Sequence, residues 1–515
     1  MRKGPKLLLL AAVLATLAAK AQGPTELHVA LYAANPEAPA PPPNWEVYQI
    51  LRDKLGINLK FTMLPTGADG DNRLGALAAA NDLPDLFEVR SLALFDRLLQ
   101  QGQLAPVNKL FPQMPRRTQV RYSDPRRNRL VSVRDQIYGL QERVTLSRQY
   151  AIWVRKDWLD RLGLQPPSTL EEFFQVAKAF TERDPDGNGR NDTYGFGGVI
   201  DYDTAGILPG LGLGNHFQWV YGAYGVAGTW NYDPRAFAAN LRDPNFRRAT
   251  EFIRRLVEAK VIDPDWATLR RADLRTRWQQ GRYGMFFESV GGLQAGLQNF
   301  YANNPNAELI MLAPPKGPEG KSSMGTYSSA GWLFVVSKRA MDSGKDAAIA
   351  RFLEWAHSGE GYYLLGWGRK GQDYILVNNV PTVNTQVPIS VRGSYTQMRW
   401  LAFNANPIEM RGRYPEITVA GRKFVMYQLM EKAQAQGNWI NRTGDVAVKA
   451  APNQADIERY VAENLVQFVL GQRPINDTTW RQFLDGLRNL RFEQYEAAAE
   501  RTLREYGYLL PTPTR

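Results

Sequence analysis

At 515 residues the chain exceeds what a single hydrophobic core usually supports, so two or more lobes are expected. The formal charge is +12, but its densest basic stretch, 116–134, is broken by Pro and Asp and lacks interleaved aromatics, which argues against nucleic acid as a partner. The absence of cysteine excludes disulfides, thiolate metal sites and a lipid-bearing Cys.

Arg2, Lys3 and Lys6 precede an apolar run over 7–19, and Ala19-Lys20-Ala21 offers a small-x-small cleavage site before Gln22. This is the layout of a secretory signal peptide over 1–21. The run is shorter than the roughly 20 residues a membrane anchor needs. No second stretch of spanning length follows, so an exported chain without stable membrane insertion is expected; for its compartment and assembly the expectation is a periplasmic monomer.

The elements then read as mixed α/β. Residues 27–33 alternate and are rich in β formers, 44–54 read as a helix behind the Pro-rich turn 39–43, and 57–64 as a second strand. Helical spacing over 74–80 and 92–99 flanks the segment 83–89, and strands alternating with helices imply a largely parallel sheet. A second unit opens near 148 with a strand over 149–155 and a helix over 156–163. The next helix, 168–182, carries Leu170, Phe173, Phe174, Ala177 and Phe180 on one face behind the S-x-x-E capping form of Ser168 and Glu171.

Residues 184–192 read Asp-Pro-Asp-Gly-Asn-Gly-Arg-Asn-Asp, which places Asp184, Asp186 and Asn188 at positions one, three and five of an EF-hand loop and Gly189 at the turn position six. Arg190 would offer its carbonyl and Asp192 a side chain or a bridging water. Position twelve of the 184–195 loop is Gly195 rather than the bidentate Glu, so this is no ordinary EF-hand. A structural Ca2+ ion is expected; a metal-free Asx-turn loop is the alternative.

Beyond the loop comes an aromatic, Gly-rich stretch to Tyr232. Asp243 and Pro244 then supply N-cap and first position of a helix bearing Phe246, Thr250, Ile253 and Val257. A strand is expected near 283–288 and another over 331–337, followed by helices over 345–357, 416–436, 453–470, 477–488 and 491–506.

The order of several of these segments is specific: 81–87 (Asn-Asp-Leu-Pro-Asp-Leu-Phe), 137–140 (Ile-Tyr-Gly-Leu), 153–164, 167–173, the ion loop, 281–287 (Gly-Arg-Tyr-Gly-Met-Phe-Phe), and 468–477 followed by Trp480. In this order the chain resembles the extracellular solute-binding proteins of ABC sugar importers, family 1, in its lipoprotein and alginate-binding branch. The resemblance runs from about residue 25 to about 508 and implies a two-lobed α/β fold of type II-like periplasmic binding proteins, with extra C-terminal helices. It implies a first lobe over 22–147 with part of 338–400, and a second over 148–337 with part of 401–515. It also implies an oligosaccharide held between the lobes by hinge closure, and membrane permeases as partners. Glu288-Ser-Val-Gly stands where some sugar binders place a stacking Trp.

A pyranose packs its C–H face on aromatic rings and turns its hydroxyls to planar polar groups. Aromatics in loop-like surroundings are therefore candidates: Trp219, Tyr224, Trp230, Tyr327, Trp332, Trp367, Trp400 and Trp439, any of which could instead be core. Glu88, Tyr202 and Glu288 follow or end expected strands, where open α/β sheets bind ligands. A neutral oligosaccharide is the expected ligand, with an acidic uronate oligosaccharide as the alternative on the predominance of Arg over Lys and the similarity to alginate binders, although that predominance equally fits a GC-rich or thermophilic source. A secreted glycosidase or lyase is the rival class. It finds no support in a nucleophile elbow, a P-loop or a His pair, since His28, His216 and His357 are far apart in the chain.

Overall fold

The computed structural model describes residues 23–66, 68–122, 128, 131–141, 150–200, 213, 215–323, 333–402, 407–436 and 453–505. Among these, the strand β1 (Thr25–Tyr32) pairs in parallel with β2 (Ile57–Leu64) and β3 (Leu86–Val89). The helix Glu46–Leu55 makes the first crossover, stopping at Gly56, whose φ of 62° is the left-handed geometry that a Cβ would strain. A short hairpin, β4 (Ser132–Val133) and β5 (Gln136–Ile137), precedes β6 (Leu140–Gln141). A second sheet is built from β7 (Tyr150–Arg155), β8 (Tyr194–Gly197), β9 (Tyr283–Ser289) and β10 (Leu309–Leu312), in the order β10-β7-β9-β8. The chain then returns. β11 (Leu333–Val336) inserts antiparallel between β3 and β6, completing a first sheet of order β2-β1-β3-β11-β6.

That return moves the apolar strand expected within 148–337 to the other sheet. Its four residues are all buried because both faces are covered: Phe334 and Val336 face the helical layer of Asp346–Ala356, while Leu333 and Val335 face the opposite layer. The same alternation sorts β1, with Leu27, Val29 and Leu31 on one side and Ala30 and Tyr32 on the other. In the second sheet, Ala151 and Trp153 face one layer and Ile152 and Val154 the other.

Local signals explain most element ends. Asp243 caps the helix Pro244–Glu258 through the Asn245 N–H, with Pro244 in the first turn. The capping box of the helix Leu170–Glu182 lies one residue later than its sequence pattern suggests: Thr169 Oγ1 accepts from Glu172 N, and Glu172 also takes the Ser168 N–H and hydroxyl at 2.7 Å. The expected helix over 416–436 is instead a hairpin, Glu416–Val419 with Arg422–Val425, followed by the helix Met426–Ala435. Ala420 and Gly421, with φ of 49° and 75°, form the tight turn that suits twisted strands. Three C-terminal helices, Gln454–Val469, Asp477–Asn489 and Phe492–Glu505, close over Pro244–Glu258 and share its apolar core.

Candidate ligand site

Glu288 sits near the end of β9 with 1% of its side chain exposed. The helix Arg271–Gln279 presents Arg271 and Arg275 one turn apart, and both guanidiniums close on that acid. Arg275 Nε donates to Oε2 at 2.7 Å, Arg271 Nη2 donates to Oε1 at 3.0 Å, and the Ser289 N–H adds 2.8 Å to Oε1. Burial opposes the charge on Glu288, but the two guanidiniums outweigh it and hold its carboxyl far below the usual carboxylate range. Gly292 is required here because a Cβ would lie 2.3 Å from Glu288 Oε1. Arg271 also lies 5.3 Å over the ring of Tyr150, which stacks on Phe287.

Across from this cluster the loop after β1 carries Asn35 and Glu37. Gln397, fully buried, ties that loop down: its Oε1 accepts from the Ala34 and Asn35 N–H groups, and its Nε2 donates to the Asn35, Ala38 and Pro39 carbonyls. Arg399 donates to Asn35 Oδ1 at 3.0 Å and to the Ala34 carbonyl at 2.9 Å, and its guanidinium lies 4.5 Å over Trp400. Burial and then the nearby Arg413 pull the Arg399 pKa down to about 10. Trp400 packs against the apolar layers of both sheets, which places it where the two sheets' layers meet. Tyr414 approaches the same place from an apolar layer of the second sheet, its hydroxyl 3.4 Å from where a Cβ on Gly291 would lie.

Glu88 lies within β3, fully buried, accepting from the Tyr32 N–H at 3.0 Å and from Arg90 Nε at 2.7 Å. Burial raises its pKa, with Arg90 offsetting only part of the effect. Trp367 is enclosed beneath Arg413, 4.3 Å away, and donates to the Tyr362 hydroxyl.

Several expected sugar-stacking rings take other places. Trp219 is a core residue, 1% exposed, packed on Phe173 and Phe196 with its Nε1 bonded to the His216 carbonyl. Trp230 is buried between Phe237 and Tyr495. Both sit in glycine-rich surroundings that resemble a loop in sequence, yet the helix Gln218–Ala223 and the C-terminal helices cover them. Tyr224 is half-buried under Arg248. Tyr202, Tyr327, Trp332 and Trp439 lie outside the described residues. Arg271, Arg275, Gln397, Arg399 and Tyr414 were not candidates from the sequence; the Arg pair at i, i+4 ahead of β9 was the one readable signal.

In the expected ion loop, Asp184 accepts from the Asn188 and Gly189 N–H groups at 3.0 and 2.9 Å. Asn188 turns its amide nitrogen, not its oxygen, to Asp186 at 2.9 Å and Asp192 at 3.1 Å, while its oxygen takes the Arg190 N–H. Among the described residues no three His, Cys, Asp or Glu side chains converge as cation ligands would. Burial, then the neighbouring carboxylates, raise the Asp186 pKa, so added positive charge would relieve the loop. Gly195 explains the missing bidentate Glu, since a Cβ there would stand 2.2 Å from the Ala177 carbonyl oxygen.

The sequence profile described as bacterial extracellular solute-binding protein matches residues 52–362, more than half of the chain. The chain belongs to that family. Among curated members, Lipoprotein LipO of Bacillus subtilis is 24% identical over 343 residues, covering 64% of each chain. The polygalacturonan/rhamnogalacturonan-binding protein YtcQ of the same organism is 23% identical over 336 residues, covering 65% of this chain and 64% of its own. The match thus spans just under two thirds of these relatives' length. The solved structure of the Streptococcus pneumoniae ABC-transporter substrate-binding protein FusA in complex with kestose superimposes with a TM-score of 0.70 at 17% identity, over 94% of this chain and 99% of that one. The alginate-binding protein AlgQ2 without calcium ion gives 0.72 at 17%, over 94% and 98%. The fold of this family member is therefore that of the two-domain solute-binding proteins. Among the described residues no helix is long and apolar enough to cross a membrane.

Proposed function

We propose that this protein is the substrate-binding component of an ABC importer, capturing an oligosaccharide between its lobes and delivering it chemically unaltered to membrane permeases. The carrying observation is the junction itself, where the partly exposed rings of Tyr414 and Trp400 stand beside Arg271, Arg275 and Arg399, the mix of ring faces and planar polar groups that a sugar requires. The membership of the family and the kestose complex of FusA support the class. Differential contacts would favour the closed state, and export through the 1–21 leader would place the protein in the periplasm. The lobes would comprise 22–141 with 333–402, and 150–323 with 407–505. Calorimetric titration with neutral and acidic oligosaccharides, with product analysis of the same mixtures, tests the reading: saturable binding without new products is expected, and turnover would refute it.

An acidic uronate oligosaccharide is the favoured refinement on one observation. Arg399 is held by an amide oxygen and a backbone carbonyl, and burial with the cationic neighbours Arg413 and Arg392 outweighs the favourable Tyr414 and Glu37, so a ligand carboxylate would offset a charge that is only partly compensated. The polygalacturonan-binding relative points the same way. A structural Ca2+ would be held by Asp184, Asp186, Asn188, Asp192 and the Arg190 carbonyl, where it would neutralise three crowded carboxylates. The solved EF-hand mutant of FusA is in keeping with such a site.

A further inference from the structure

Arg275 does more than bind Glu288. With Nε and Nη2 committed to that acid, its remaining Nη1 is aimed across the junction and donates to Glu37 Oε1 at 3.1 Å. Glu37 belongs to the loop after β1 of the first sheet, and Arg275 to a helix packed on β9 of the second. Both ends are fixed before they meet. Gln397 spends five hydrogen bonds on the Ala34 to Pro39 backbone, and Asn35 Nδ2 adds one to the Gly393 carbonyl, so the Glu37 loop has little freedom. On the other side Glu288 grips the guanidinium along its Nε/Nη2 edge with both carboxylate oxygens. Little side-chain entropy is then lost when the pair forms, which is what usually cancels the gain of a partly exposed ion pair.

We propose that Glu37 and Arg275 form an interlobe latch that sets the closed fraction of the ligand-free protein and through it the apparent affinity for every ligand alike. The proposal rests on the binding-protein reading, since apparent affinity scales with the fraction already in the binding-competent form. Closure through the latch acts on a neutral sugar as on a charged one, while the Glu37 charge also reaches Arg399 and there opposes a ligand carboxylate.

Glu37→Gln keeps the size of the side chain, removes its charge and lies at an exposed position, so folding is preserved. Small-angle scattering of the ligand-free protein should show a larger radius of gyration for Glu37→Gln than for wild type. Titration should show the dissociation constant for kestose rising about fivefold and that for trigalacturonate rising by less, since the lost Glu37 charge favours a carboxylate near Arg399. Unchanged scattering overturns the latch, whatever the affinities do. A change confined to trigalacturonate also overturns it, making Glu37 a local charge competitor instead. If wild type binds neither sugar, the functional reading fails while the scattering comparison still decides the latch.

Discussion

The Arg275 guanidinium meets Glu288 edge-on, Nε to Oε2 at 2.7 Å, on an acid that is 1% exposed. A buried carboxylate of this kind is tolerable only because two arginines and a backbone N–H surround it, and they in turn depend on it for their orientation.

Glu288→Ala should therefore destabilise the protein by about 2–3 kcal/mol, less than for a fully enclosed pair because both arginines touch solvent. Urea unfolding measures the loss. Glu288→Gln, which keeps hydrogen-bonding atoms, should recover part of it.

The two glutamates near the sheet ends should respond to pH in opposite senses. Glu288 has a depressed folded pKa, so its stabilisation is complete above the unfolded value of about 4.3 and is lost as pH falls below it. The gap between wild type and Glu288→Gln should shrink on acidification. Glu88 has a raised folded pKa, so its ionisation costs stability as pH rises above the same value, and Glu88→Gln should gain on wild type with rising pH. Denaturation midpoints across pH 3.5 to 7 check both; parallel slopes would contradict the assignment.

Much of the fold was legible in the chain. The alternation of β1, the Asp243 and Pro244 helix start and the amphipathic face of Leu170–Glu182 each follow from local patterns that tertiary packing then reinforces. The strand Leu333–Val336 was readable as buried but not as belonging to the first sheet, because pairing partners far apart in sequence leave no mark on an apolar run. The site was less legible. Arg271 and Arg275 look like an ordinary solvated helix face until Glu288 is placed beneath them, and Gln397 carries no sequence signature for five backbone hydrogen bonds. The aromatics misled in the other direction, since glycine-rich surroundings around Trp219 suggested exposure where helices cover it.

The loop after β1 should depend on Gln397 and on Gly393. Gln397→Ala leaves several buried backbone groups unpaired, at a cost of about 2–4 kcal/mol. Gly393→Ala forces a Cβ to 2.7 Å from Ala38 Cβ and 2.4 Å from the Ile389 carbonyl oxygen. Both should lower the melting temperature, and hydrogen exchange should show lost protection at Ala34 and Asn35.

Calcium should raise the melting temperature and a chelator should lower it, with Asp186→Ala abolishing the difference. Completing the motif with Gly195→Glu should unfold the loop rather than tighten binding, because its Cβ would strike the Ala177 backbone. A melting temperature indifferent to calcium would assign the loop to the metal-free turn formed by Asp184 and Asn188.

On the proposed function, the lobes close on an oligosaccharide at the junction of Arg271, Arg275, Arg399 and Trp400 and leave it intact. Calorimetric titration with neutral and uronate oligosaccharides, paired with scattering with and without sugar, tests it most directly. One-to-one binding, a smaller radius of gyration when bound, loss of both with Trp400→Ala, and sugar recovered unchanged are expected. Absence of binding across the panel, or binding accompanied by cleavage of the sugar, would contradict it.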